Sequence, residues 1–197
     1  MALLSTAFCP PVEYFAVAAE YSELYIEAFG FYEKQSYRNR CRILTANGVE
    51  SFGPPVVHGA DLYGTPVKDV RVDYSVDWIG RFEYALESAY DSSPFFEYYR
   101  DGLFSILDSK PEKLLELNTE ISLWIASKLG IAFKPEFTLE YAPSAPDDFR
   151  ELIHPKKALL REPKPYWQVF RERFGFQAGL SSLDLLFCEG PSAICYL

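Results

Sequence analysis

The chain contains only two histidines, one methionine and four cysteines, and no two cysteines form a CxxC pair. A zinc site of the usual Cys/His spacing is therefore not expected, and neither is any other cofactor. Cys9, Cys41, Cys188 and Cys195 read instead as free thiols that act as small hydrophobes in a reducing compartment. There is no GxGxxG, no Walker-type loop, no HExxH and no GxSxG, which argues against the common nucleotide-dependent redox and phosphoryl-transfer folds. No apolar run approaches the ~18 residues needed to cross a bilayer, so membrane insertion is not expected. The first residues, MALLSTAFCPP, lack a leading positive charge and stop at Pro10 and Pro11, unlike a signal peptide; the expected location is the cytoplasm. Positive charge is scarce, with 19 Lys and Arg against 28 Asp and Glu for a net charge of -9. Broad nucleic-acid binding and adhesion to an anionic membrane both need a positive surface field, and are not expected.

What the chain does have is apolar and aromatic mass. At 49% hydrophobic and 17% aromatic over 197 residues, it can close a sizeable core as one compact domain. LLSTAF reads as a strand, and VEYFAVAAEY after the double proline as a helix with Val12, Phe15, Ala16 and Ala19 on one face. ELYIEAF alternates like a half-buried strand, and Asn47-Gly48 between RCRILTA and VESFGPPVV marks a hairpin with a two-residue type I′ turn. KDVRVDY adds a further expected strand. From Trp78 the period becomes helical; Ser93-Pro94 opens a second helix, and Ser109 with Glu112 has capping-box spacing ahead of a third that ends at Gly130. Six prolines between 131 and 165 predict an irregular but packed connection, followed by short helices in PYWQVFRERF and SSLDLLF. Strands concentrated in the first third and helices afterwards give an α+β (mixed α/β) fold.

The basic residues are not evenly spread. EKQSYRNRCRI, residues 33–43, places Lys34, Arg38, Arg40 and Arg42 close together in an otherwise acidic chain. If this stretch is extended, alternation sends Lys34, Ser36, Arg38, Arg40 and Arg42 to one face. Neighbouring guanidinium forks on one face make an anion clamp, since each matches a carboxylate or phosphate bidentately. The plainer reading is an edge strand charged to prevent aggregation. Asn118 falls on the apolar stripe of the third helix, where its amide must either reach a ligand or brace a loop. Cys9 and Cys41, with His58 or His154 as base, are the available nucleophile pairs, though sequence does not bring them together.

PPVEYFA, EKQSYRNRCRI followed by NG and PPV, the stretch from Trp78 through SAYDSSPFFEYY, LLELNTEI and the ending YWQVF to CEGP together resemble the bacterial WbqC-like protein family over nearly the whole chain. That family is associated with surface-polysaccharide, including O-antigen, biosynthesis, and a glycine-transfer role has been suggested for it. The resemblance implies Tyr14, Lys34, Arg38, Asn39, Arg40, Asn47, Trp78, Tyr90 and Asn118 as shared motif positions. On that basis the expected function is transfer from an anionic activated small molecule, such as a nucleotide sugar or glycyl donor, in polysaccharide assembly. Lys34, Arg38 and Arg40 would hold the anion, Asn39 and Asn118 would orient the acceptor, and Tyr14, Trp78 and Tyr90 would form the walls. Two departures favour the alternative, a non-catalytic anion-binding or scaffolding protein. Relatives often carry a Gln-Pro pair where this chain has Thr6-Ala7-Phe8-Cys9-Pro10, and a His where it has Phe82. A third reading makes the basic face a mere edge strand and puts function on a helical interface, as in a homo-oligomer.

Overall fold

A computed structural model describes residues 1–57 and 62–197, so His58 lies outside the described residues. The architecture is mixed α/β, with four of its six strands before residue 53 and five of its six helices after residue 77. Four parallel strands form the main sheet in the order β5 (Glu136–Phe137), β2 (Leu24–Glu27), β1 (Ala2–Ser5), β6 (Asp147–Asp148). Parallel strands need a crossover, and α1 (Val12–Ala18) supplies the one between β1 and β2. β1 is buried along nearly its whole length, as expected for a strand covered on both faces. The late strands β5 and β6 are two residues each, too short to leave a periodic trace in the proline-rich connection.

A separate antiparallel hairpin joins β3 (Cys41–Thr45) to β4 (Gly48–Phe52). It forms where Asn47-Gly48 indicates, but Thr45 pairs with Gly48, so the two loop residues are Ala46 and Asn47. Gly48, at φ 108, opens β4, while the Thr45 hydroxyl holds the turn by accepting from the Asn47 amide and donating to the Gly48 carbonyl. The side chain of Thr45 thus fixes a different loop from the type I′ turn that Asn-Gly alone favours.

Helices α2 (Trp78–Tyr90), α3 (Phe96–Asp108) and α4 (Leu114–Leu129) carry the apolar stripes read from the sequence. Two starts differ. Ser93 does not cap α3; its hydroxyl donates back to the Tyr90 carbonyl, closing α2 instead. Ser109 closes α3 in the same way, donating to Ile106, and α4 begins after Lys113, whose amide donates to Glu116. The spacing of a capping box is present, shifted four residues from Ser109 to Lys113. Gly130 ends α4 at φ 73, the left-handed cap expected of it. KDVRVDY is not a strand: residues 67–69 make a 3-10 turn, and Arg71 and Val72 form isolated bridges to Lys113 and Val56. Its backbone bonds go to three different segments, so no ladder develops. Short helices α5 (Arg171–Phe174) and α6 (Ser182–Glu189) finish the chain.

Candidate functional site

In an open parallel sheet, ligands bind beyond the carboxyl ends of the strands, where the strand order reverses. Here that reversal lies at β1, because the chain leaves β1 for β2 on one side and returns much later as β6 on the other. A tight crevice with a free volume of about 10 Å³, room for about one water-sized group, lies at this position. Thr6 and Ala7 after β1, Arg150 and His154 after β6, and Tyr14 of α1 are among its walls. It admits nothing larger unless side chains part.

The segment 33–40 reaches the crevice by a route that alternation does not describe. It is not extended: Gln35 sits at φ 59, and Tyr37–Asn39 form a 3-10 turn. Ser36 makes this happen, its hydroxyl donating to the Glu33 carbonyl and accepting from the Arg38 amide. Such local side-chain bonds compete with a strand ladder. Tertiary bonds complete the turn, as the Tyr37 carbonyl accepts from the Phe8 amide and the Arg38 carbonyl from Asn118 Nδ2. The expected single cationic face is therefore divided. Arg38 turns inward as a crevice wall, Arg40 and Arg42 turn to an outer groove, and Lys34 is exposed and lines neither.

Arg38 arrives with its charge matched. Its Nη1 donates to Glu33 Oε2 at 2.7 Å, and His154 Nε2 stands 3.8 Å from the other Glu33 oxygen. His154 Nδ1 accepts from the Lys156 amide at 3.1 Å, so the neutral ring carries its proton on Nε2, facing Glu33. Arg150 is more fully engaged: its guanidinium donates to both Asp148 oxygens, to Glu27 and to the Ala142 carbonyl. It shapes the crevice without offering a free charge. The outer groove, about 190 Å³, differs: Arg40, Arg42 and Lys156 line it, and no Asp or Glu does. Tyr37 lines both spaces, and His154, Pro155 and Lys156 run from one to the other. The groove is thus the cationic neighbour of the polar crevice.

Among the described residues six buried side-chain polar atoms lack a hydrogen bond, and four belong to Tyr14, Asn39, Trp78 and Asn118. Buried polar groups are nearly always bonded, to protein or to ordered water. Tyr14 is the clearest case: its hydroxyl is buried beside the crevice with no partner, and burial pushes the phenol well above its ordinary pKa. Asn118 braces the crevice from behind. Its Nδ2 donates to Thr6 Oγ1 at 3.0 Å and to the Arg38 carbonyl at 2.8 Å, while Oδ1 is unpartnered.

The remaining expected residues lie elsewhere. Asn39 holds the base of the hairpin, Nδ2 donating to the Pro54 carbonyl, and a Cβ at Gly53 would strike the Asn39 carbonyl. Trp78 stacks on Tyr74 and meets Phe8 edge-on in the core. Tyr90 is fully buried between Phe187 and the Asp184 carboxylate, to which its hydroxyl donates at 2.7 Å. Its role as a site wall is replaced by one in the core. Among the described residues neither Cys9 nor Cys41 bonds to His154, and pairs with His58 lie outside them; Cys9 and Cys41 are fully buried, and burial, followed by its bond to Cys41, raises the Cys9 thiol. Sequence reasoning missed Thr6, Glu33 and Arg150: Glu33 reaches Arg38 through the turn made by Ser36, and Arg150 enters because β6 returns beside β1.

Residues 6–159 match the WbqC-like protein family. The chain belongs to this family. The site just described falls within the matched span. A distant relative, an uncharacterized protein of Mycobacterium tuberculosis, is 26% identical over an alignment covering 100% of this chain and 96% of the relative. No solved structure matches. Among the described residues of this WbqC-like protein, no helix is long and apolar enough to cross a membrane, and no group of His, Cys, Asp and Glu is arranged to hold a metal ion.

Proposed function

We propose that this WbqC-like protein binds an anionic activated small molecule, such as a nucleotide sugar or a glycyl donor, and acts as a transferase in surface-polysaccharide assembly. The observation that carries the reading is the groove of Arg40, Arg42 and Lys156, free of acidic lining in a chain of net charge -9. Guanidinium forks and an ammonium at a groove mouth suit phosphate or carboxylate oxygens. Bound there, the anion directs the smaller, uncharged end of the ligand toward Tyr14, Arg38 and His154 at the switch point. In the transfer step Arg38 would favour charge developing on the leaving group, as preorganised donors do. Lys34 would add to the field at the mouth rather than touch the ligand.

A second reading, binding without turnover, rests on the two places where the sequence departs from relatives. They meet in space: Phe8 and Phe82 pack with ring centroids 5.4 Å apart, and Phe52 and Trp78 extend the cluster. A dry aromatic cluster stands where a relative's imidazole would be. The partner is then a scaffolded anion rather than a substrate.

A thermal-shift screen of the purified protein with nucleotides, nucleotide sugars, amino acids and inorganic phosphate tests the site, since a ligand of the native state raises Tm by mass action. One anionic class should stabilise the wild type and lose its effect in Arg40→Ala and Lys156→Ala. No stabilisation by any anion, or an unchanged response in both variants, would overturn the site. Saturable binding with no product from any donor and acceptor pair would decide for the second reading.

A further inference from the structure

A larger cavity, of about 300 Å³, shares no lining residue with the crevice or the groove. α1 forms one wall through Val12, Glu13 and Ala16, and residues 159–180 with the chain end form the rest. Most of that lining lies past residue 159, where the match to the family ends. The walls are largely apolar, including Leu159, Phe176 and Leu180, yet one carries the carboxyl group of Glu13.

Glu13 is unusual for a buried acid. It is 8% exposed, and its one hydrogen bond is from the Leu160 amide to Oε2. Glu27 and Asp184, more deeply buried still, show what such groups normally require. Glu27 accepts from three backbone amides, the Thr138 hydroxyl and Arg150; Asp184 accepts from two tyrosines and a glutamine. Among the described residues Glu13 has no ion pair. The two cations beside it are engaged elsewhere: Arg161 donates through both terminal nitrogens to Glu20, and Lys164 caps the carbonyls of Cys195 and Leu197. Arg161 is near enough to favour the carboxylate but is bonded to Glu20, so Glu13 is buried without a bonded cation, which is costly, and in a cavity of this size that partner can come from a ligand.

The geometry points to a binding site for a small organic amine, a molecule whose apolar body fills the cavity and whose ammonium group pairs with Glu13. An alkyl- or arylalkyl-ammonium keeps its proton at neutral pH, as lysine does. Glu162 at the rim adds negative charge, so the field of the unengaged groups selects a cation. The site is independent of the anion reading, and each can fail alone.

Binding of phenethylamine to the full chain, followed by calorimetry, is compared with binding of 2-phenylethanol and 3-phenylpropionate. The amine should bind saturably, and at least about tenfold more tightly than the alcohol of the same shape, the ratio equivalent to about 1.4 kcal/mol. The carboxylate should bind more weakly than either. Glu13→Gln keeps the acceptor for the Leu160 amide and should remove the preference for the amine, bringing it to the affinity of the alcohol. Ala178→Phe, a change in the half-exposed cavity wall, should weaken all three probes and provides a test that does not alter Glu13. Equal affinity for amine and alcohol, an amine affinity unchanged in Glu13→Gln, or no binding of any probe would each overturn the proposal.

Discussion

Two polar clusters deep in the molecule are built on opposite rules. Around Asp184 the carboxylate accepts from the Tyr90 and Tyr166 hydroxyls at 2.7 and 2.6 Å and from Gln168 Nε2 at 3.0 Å, and Gln168 also holds the Gln177 backbone. Around the crevice, the Tyr14 hydroxyl and Asn118 Oδ1 are just as buried but have no partner. The first cluster is complete without a ligand and so belongs to stability. The second leaves these two atoms without a protein partner, so they add no such stability. The same residue type therefore serves both ends, and its partners, not its burial, separate Tyr90 from Tyr14.

The sharpest way to test this contrast is to break the complete cluster. Asp184→Ala strands two hydroxyls and an amide in the core, and should cost at least about 3 kcal/mol of unfolding free energy in urea. A loss below about 1 kcal/mol would mean that the cluster is not the stabilising element described. Next, Asn118→Ala removes both donors that tie α4 to Thr6 and Arg38, at a cost of about 2 kcal/mol, and should also weaken any ligand of the crevice. The paired phenol deletions come third. Tyr90→Phe should lose about 1 to 2 kcal/mol, whereas Tyr14→Phe, giving up a hydroxyl that has no partner, should be neutral or slightly stabilising. Equal losses at the two positions would erase the distinction between the clusters.

A smaller effect concerns Glu13. Burial raises its carboxyl above the ordinary value of 4.5, while the Leu160 amide and Arg161 act in the opposite direction. A raised value means that the fold prefers the protonated acid. Its favourable contribution is present below pH 4.5 and is lost as pH rises through the folded value. Glu13→Gln should therefore match the wild type at acidic pH and gain in Tm relative to it toward neutrality, measured without ligand. Smallest of all is Arg40→Ala, which should leave Tm unchanged, because Arg40 is exposed, while weakening anion binding about tenfold.

Much of the fold was legible because its signals are local. The stripes of α2 and α4, the cap at Gly130 and the hairpin near Asn47 each depend on residues within one or two turns of one another. Three of the errors were also local in origin: Ser36, Thr45 and Ser93 used their hydroxyls on nearby backbone and moved a turn, a loop and a helix start. Of the site, the family motif flagged Tyr14, Arg38 and Asn118, which the fold brings to one crevice, and Tyr90, which it buries in the other cluster. Nothing in the motif distinguishes these, since both tyrosines lie among apolar neighbours at helical spacing.

By itself, the sequence determined the class of fold, the excess of acid with its one basic segment, and membership in the WbqC-like family. Periodicity, composition and motif are all properties of neighbours along the chain. Only the tertiary structure decided which charges remain available. Arg38 is matched by Glu33 five residues earlier and Arg150 by Glu27 from a distant strand, while Arg40 and Arg42 meet Lys156 across a groove with no acid in its lining. The physical reason is that electrostatic and hydrogen-bond partners are set by distance in space. The return of β6 beside β1 joins segments more than a hundred residues apart at the point where the strand order reverses.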